Sequence, residues 1–453
     1  MQRRLDVSIA TYTSVVCVPI VVILLWGCLR AMMNLHANEP AAPLEVVPPS
    51  PRLQHDKPLV AVLVSNVGTE VTDLVAPYAI FAESGVLEVV TVAPERRVSP
   101  LYPGLEVLPD FSFEGLDARP EVIVVPNIAD YDNPRIAAWL RRHADAGALM
   151  VSVCEGSRAA AAAGLLDGRV ATSHFMALGQ LGRKYSRVRW VGGVRYQWAG
   201  AVVTSAGVTA AIDVSFSVLG RLAGPSIARD TARRLGYEVG PRQAQSPALS
   251  VGDYAALATF VAFSPRSLNV TVGLDEDVDE LEVAAVADVF QRAMLGRTSS
   301  VGRERRVFLS KRGLSLVPQH DARTAPLSDL TYDFSSAIAL VRDRSGARAF
   351  DPATPGQSYD RALADLAEVT TPKLASLVAT TIEYPERRRG IVAAGWPAEL
   401  WLRPVALGLC SLSLAILFRF LALPAGAATA LGLSAAWAAA LARIWSPLWR
   451  RRH

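Results

Sequence analysis

Cys154 is where this sequence concentrates its chemistry. The run Ala148-Leu149-Met150-Val151-Ser152-Val153 is apolar and strand-forming, and it ends on Cys154, Glu155 and Gly156 before the helix-forming Ser157-Arg158-Ala159. That is the layout of a nucleophile elbow. A strand delivers a thiol to a sharp turn, and the N–H groups and positive end of the following helix favour its thiolate. The other three cysteines, Cys17, Cys28 and Cys410, lie in apolar end segments, so Cys154 has no disulfide partner in the body of the chain. No Cys-x-x-Cys or His-rich spacing accompanies it, so neither a metal nor a cofactor is expected. The same local pattern also fits a small buried cysteine at a strand end.

The elements around the cysteine alternate. Leu59 to Ser65, Val86 to Ala93, Val122 to Pro126 and Leu149 to Val153 read as strands, and Val71 to Glu83 and Pro134 to Ala146 read as helices. Strands alternating with helices imply a flavodoxin-like α/β fold with a parallel sheet covered on both faces. Ligands bind such sheets at the carboxyl ends of strands, where both Cys154 and the loop containing Gly68 fall.

Three further stretches accompany the elbow in order: Gly68-Thr69-Glu70-Val71-Thr72-Asp73-Leu74-Val75-Ala76-Pro77, Ala163-Gly164-Leu165-Leu166-Asp167-Gly168 with Ala171-Thr172-Ser173-His174, and Thr204-Ser205-Ala206-Gly207. Together they resemble the DJ-1/PfpI family, which is class I glutamine amidotransferase-like, in the branch of isonitrile hydratases and the ligand domains of AraC-type regulators. The resemblance implies that Cys154 is the nucleophile and Asp73 the acid that sets its protonation. It places His174 near the pocket as a base or polar wall. Backbone N–H groups of Glu155 and the Gly68 loop, with Gly156 behind them, would hold an oxyanion. Glu155 departs from the family pattern, which has a small hydroxyl residue or histidine there. A carboxylate beside the thiol disfavours the thiolate and argues against peptidase activity. Arg158 sits one helical turn beyond Glu155 and can neutralise it.

A second copy of the pattern follows. At a shift of 209 residues, Leu59 falls on Leu268, Ala76 on Ala285, Phe81 on Phe290 and Glu95-Arg96-Arg97-Val98 on Glu304-Arg305-Arg306-Val307. Glu282 takes the place of Asp73. Near the end, Pro372 to Tyr384 resembles Pro225 to Tyr237, a shift of only 147, so 62 residues are absent from the middle of this copy. That places the Val122 strand, the elbow and His174 in the missing part, and no cysteine occurs between Cys154 and Cys410. The expected organisation is an N-terminal transmembrane anchor over 1–33, a Pro-rich linker over 34–56 and a DJ-1/PfpI-like domain over 57–240. A linker over 241–265, a degenerate copy over 266–390 and a C-terminal transmembrane region over 400–446 complete it. The degenerate copy would dock on the first as an intramolecular pseudo-dimer partner, with a homodimer as the alternative.

Residues 10–29 carry no charge and follow Arg3 and Arg4, while 404–442 carry only Arg419. These segments predict attachment to a bacterial inner membrane, with the soluble domains on the outer, periplasmic side or, alternatively, in the cytoplasm. Only Lys57, Lys184, Lys311 and Lys373 are lysines among 46 basic residues, net charge is +4, and basic residues are dispersed, which argues against a nucleic-acid partner. The expected partner is a small molecule. Two functions are expected from this site: a cysteine-dependent hydrolase or hydratase of a small C–N compound, or a non-catalytic ligand or redox sensor or scaffold.

Overall fold

The computed structural model describes residues 17–31, 41–54, 56–238, 246–264, 267–334, 347–349, 358–385 and 398–420. The chain divides into two compact units: 35–249 with 268–392, and 1–34 with 250–267 and 393–453.

The larger unit holds two parallel sheets. The first has seven strands, in the order Tyr196–Ala199, Val202–Ser205, Leu149–Ser152, Val122–Val125, Leu59–Leu63, Glu88–Ala93, Phe111–Ser112. Only the edge strand Tyr196–Ala199 runs antiparallel. The central strands read as unbroken Val, Leu and Ile because helices cover both faces, and Leu63, Val92, Ile123 and Val125 are buried in the core. Helix Val71–Glu83 starts where the Glu70 side chain accepts from the Asp73 N–H, and it is buried nearly all round. It packs on helices Ala210–Ala223 and Glu280–Arg292.

The second sheet runs His320–Asp321, Thr298–Gly302, Val270–Gly273, Leu330–Asp333, Ala347–Ala349. Its order matches the five strands from Phe111–Ser112 to Leu149–Ser152. Two corrections to the sequence reading follow. The strands equivalent to the Val122 strand and to the elbow strand are present, paired in parallel on the same side of Val270–Gly273. The ungapped 209-residue shift also slips by one. The Val64 N–H donates to Val92 O and the Leu274 N–H to Val301 O, so the first strand is displaced by 210 and the second by 209. The loop before the helix is one residue shorter in the second half.

A third sheet joins the halves. Hairpin Ser99–Tyr102 and Leu105–Val107 continues antiparallel into Ser315–Val317 and Phe308–Leu309, with Val107 opposite Leu316. Gly104 at the hairpin tip has φ +73°, and a Cβ there would lie 2.3 Å from Thr298 O, so the turn admits only glycine. The Pro-rich segment forms neither helix nor strand over 41–54, yet it is held: Arg305 donates to Ala42 O (2.7 Å) and Arg96 to Pro48 O (2.7 Å).

The smaller unit is helical: residues 17–31, Val251–Phe263 and Ala398–Phe420. Helix Val251–Phe263 replaces part of the expected 241–265 linker. It opens on a Ser250/Asp253 capping box and is apolar around its circumference, so no amphipathic period announced it. Arg30 donates to Val261 O (3.1 Å), Arg403 to Phe263 O (2.6 Å), and a Cβ on Gly27 would lie 2.4 Å from Ala262 Cα. The expected terminal transmembrane helices are not supported: among the described residues no helix is long and apolar enough to cross a membrane. Crossing takes about 20 apolar residues. The first helix is described only over 17–31, and the last carries Glu399, Arg403 and Arg419. The remainder of those two segments, 1–16 and 421–453, lies outside the described residues.

Candidate active site around Cys154

Strand Leu149–Ser152 ends at a single 3-10 turn, Cys154–Gly156, and helix Ser157–Ala162 follows. Cys154 sits at φ +55°, a left-handed conformation that costs a side-chain-bearing residue about 1 kcal/mol or more and recurs at functional sites. Three hydroxyls secure it. The Cys154 N–H donates to Ser205 Oγ (3.4 Å), and its carbonyl accepts from Ser157 Oγ (3.2 Å) and Ser173 Oγ (3.0 Å). Gly156 allows the turn to close: a Cβ there would lie 2.1 Å from Val125 O.

The side chain is 3% exposed. Burial pushes the thiol well above its usual range, and the charges of Asp73, Glu155 and Glu70 push it further, against a backbone hydrogen bond from Val208. This corrects the expectation that the helix N-terminus yields a thiolate. The helix behind the elbow runs only from Ser157 to Ala162, too short for a strong dipole, and carboxylates surround the sulfur. The site holds a neutral thiol.

Asp73 is fully buried one turn into helix Val71–Glu83. Burial raises its carboxyl to about 7; the Asn127 N–H, donating to Oδ2 at 3.1 Å, works in the opposite direction. Its Oδ1 is buried with no hydrogen-bond partner. The Asp73 N–H donates to Glu70 Oε2 (2.7 Å), and burial, then Asp288 and Asp73, raise Glu70 well above the carboxylate range. Asp288 accepts from Thr72 Oγ1 (2.5 Å) and holds Arg292 Nε (3.2 Å), while Arg292 Nη2 lies 3.4 Å from Glu70 Oε1. Tyr102 and Tyr359, both pushed up by burial, close the cluster.

His174 is brought to the same region, but both its ring nitrogens are engaged. Nε2 bonds Thr381 O (2.9 Å), and Nδ1 accepts from the Met176 N–H (3.3 Å). Burial lowers it to about 4, so the ring is neutral. The Glu383 carboxylate, 4.0 Å from Nε2, accepts from the Gly207 N–H (2.9 Å) and the Phe175 N–H (3.2 Å). Arg195 and Thr209 grip the Glu383 carbonyl. Glu155 is turned to Arg158, with Oε2 2.6 Å from Nε, as their spacing predicts. The Gly68 N–H, expected to meet an oxyanion, is taken by Ser65 Oγ (3.2 Å). The described residues contain no group of His, Cys, Asp and Glu that could hold a metal ion.

Sequence reasoning missed Glu70, Thr72, Asp288, Arg292, Tyr359 and Glu383. Glu70 carries a readable signal, a carboxylate three residues before Asp73 at a helix start. The others come from or face the second half and carry none until the halves are packed.

Residues 59–221 match the model of the DJ-1/PfpI family. The HTH-type transcriptional regulator CdhR of Pseudomonas aeruginosa is 35% identical over 95 residues, 21% of this chain and 28% of that protein. The isonitrile hydratase of Pseudomonas putida is 28% identical over 179 residues, 37% of this chain and 74% of that protein. The chain therefore spans 28% of the regulator's length. Among solved structures, a ThiJ/PfpI family protein from Pseudomonas syringae is 26% identical with a TM-score of 0.38, covering 41% of this chain and 77% of that one. A DJ-1 superfamily protein from Salmonella typhimurium is 23% identical with a TM-score of 0.36, covering 40% of this chain and 99% of that one.

Proposed function

We propose that residues 59–221, which match the DJ-1/PfpI family model, form a cysteine-dependent hydratase or hydrolase of a small, neutral C–N compound. One observation carries the reading: Asp73 is a buried carboxyl raised to about 7, with one free oxygen, beside a neutral thiol. A neutral thiol reacts only if its proton leaves as the C–S bond forms, and a carboxyl poised near neutral takes and returns that proton. With an isonitrile, sulfur bonds the terminal carbon. The thiol proton passes to Asp73, and the same carbon receives a proton from Asp73. Water then adds across the C=N bond, its hydroxyl to that carbon and its other proton to nitrogen. The C–S bond breaks as the hydroxyl becomes the carbonyl, the hydroxyl proton passes to sulfur, and a formamide leaves with the thiol restored. The isonitrile hydratase among the relatives supports this substrate class.

The test is formamide production from a small alkyl isonitrile, followed by NMR. Wild type turns over, whereas Cys154→Ala and Asp73→Asn do not. Wild type at the buffer rate refutes the reading. The second reading, a ligand or redox sensor, is favoured by the depth of Cys154 and by the lack of a free nitrogen on His174. Saturable binding without turnover would select it.

We read the second half as the pseudo-dimer partner of the first, because Val107 and its 209-residue equivalent Leu316 face each other across the shared sheet. For the helical unit we keep association with a bacterial inner membrane. Its described surface exposes Leu25, Trp26, Leu29, Leu402, Val405 and Leu409. Recovery of the full chain in the soluble fraction, with none on sedimented membranes, would contradict that association.

A further inference from the structure

The two halves meet through equivalent helices, Val71–Glu83 and Glu280–Arg292. The 209-residue shift that equates Val107 with Leu316 also equates Glu83 with Arg292. One position on a near-symmetric pair thus carries opposite charges. The two side chains serve different ends of the interface. Glu83 bonds Arg312 (2.9 Å), which also holds Asp279 (3.1 Å) and Glu280 (3.1 Å). Arg292 turns the other way, to Asp288 at 3.2 Å and Glu70 at 3.4 Å, among the residues that face Cys154.

We infer that the second half supplies Arg292 as a positioning residue of the first half's site: gripped by Asp288, its guanidinium fixes Glu70 and, through it, Asp73 beside Cys154. Two equal halves would put a glutamate at this place, adding a charge where Glu70, Asp73 and Asp288 are already buried around one cation. Burying a carboxylate without a cation costs several kcal/mol, so pairing of unlike halves is what makes the cluster tenable. The groups bearing on the thiol are Asp73 and Glu70 from one helix, Glu155 from the elbow, Tyr102 from the hairpin and Arg292 from the second half. Asp73 in turn is faced by Glu70, Asp288, Arg292 and the Asn127 N–H. Asp288 and Arg292 also act on His174 and on Tyr359 or Glu70. Arg292 is the cation in this set; it favours the ionised forms of Glu70 and Asp73 and disfavours the charged form of His174.

This inference rests on Cys154 being the reacting thiol. Its readout is alkylation rather than turnover, so the hydration reading can fail while this one stands. The full chain is treated with iodoacetamide across a pH series, and modification is read on the Cys154 peptide by mass spectrometry. Arg292→Gln should raise the midpoint by about one unit, which is about tenfold slower alkylation below it. Arg292→Lys should restore most of that loss. Asp288→Asn, which removes the grip on the guanidinium, should move the midpoint in the same direction as Arg292→Gln, by less. Glu83→Gln should lower the thermal midpoint and leave the alkylation midpoint in place. The inference is overturned if folded Arg292→Gln matches wild type, if Arg292→Gln and Asp288→Asn shift the midpoint in opposite directions, or if Glu83→Gln shifts it equally. Where Arg292→Gln does not fold, Asp288→Asn decides alone: an upward shift sustains the inference, and no shift or a downward one refutes it.

Discussion

The first and second halves of the larger unit share five strands in one order and a buried helix after the first strand, yet they differ where the strands end. In the first half, Leu149–Ser152 leads into Cys154, and residues 154–205 fold into the elbow, the His174 region, a two-stranded sheet and two more strands of the seven-stranded sheet. In the second, Ala347–Ala349 occupies the elbow strand's place, and helix Ser358–Val369 is the next described element. Both keep a buried acid at the equivalent helix position, and burial lifts Asp73 and Glu282 alike to about 7. The acid therefore follows from the frame, and the thiol does not. Apolar strands and the helix pair preserve the fold without the chemistry, and the chemistry lies in one removable segment.

That contrast breaks most readily at the elbow. Gly156→Ala should cost more than about 4 kcal/mol in urea unfolding, since the new Cβ meets Val125 O and Pro126 O, which are backbone and cannot rotate away. A change under about 1 kcal/mol would mean the turn is not closed as described. Next in size is Arg312→Ala, which strands Glu83, Asp279 and Glu280 at the interface and should cost about 3 kcal/mol. Cys154 alkylation in that variant should keep its pH midpoint, because Arg312 serves the end of the helix pair away from the thiol. Smaller still is the dependence of stability on pH. Asp73, Glu106, Glu282 and Glu383 are all raised to about 7 in the folded chain, each mainly by burial. The folded state then binds more protons than the unfolded one between about pH 4 and 7. Stability should fall as pH rises through that window and level off above it. His174, lowered to about 4, opposes this below its unfolded value of about 6.5, as does His143, lowered by burial. Glu70, Asp110 and Glu280, also raised by burial, add to the fall. Glu282→Gln should flatten the slope without altering Cys154 reactivity. A slope that steepens, or a thiol that responds, would erase the distinction between the halves.

Much of the first half was legible because its signals are local. The helix Val71–Glu83 has the bounds its pattern announced, and the Glu155–Arg158 pair follows from i,i+3 spacing. The repeat was legible too, since its apolar periods survive. Three things were hidden. The one-residue slip before helix Glu280–Arg292 lies in a loop, where sequence matching has nothing to hold it. Helix Val251–Phe263 is apolar on all sides and reads as neither strand nor amphipathic helix. Arg292, Asp288 and Glu383 reach the site from more than 100 residues away, through packing between halves that no local spacing encodes.

The central claim is that Asp73 keeps the Cys154 thiol neutral at rest and takes its proton as it reacts, and Asp73→Asn tests it most directly. The amide keeps the shape and the Asn127 contact but removes a charge that raises the thiol. The pH midpoint of Cys154 alkylation should fall by about one unit, so the thiol reacts about tenfold faster below the midpoint, while isonitrile turnover is lost. An unchanged midpoint, or a variant that still turns over at the wild-type rate, would contradict the account.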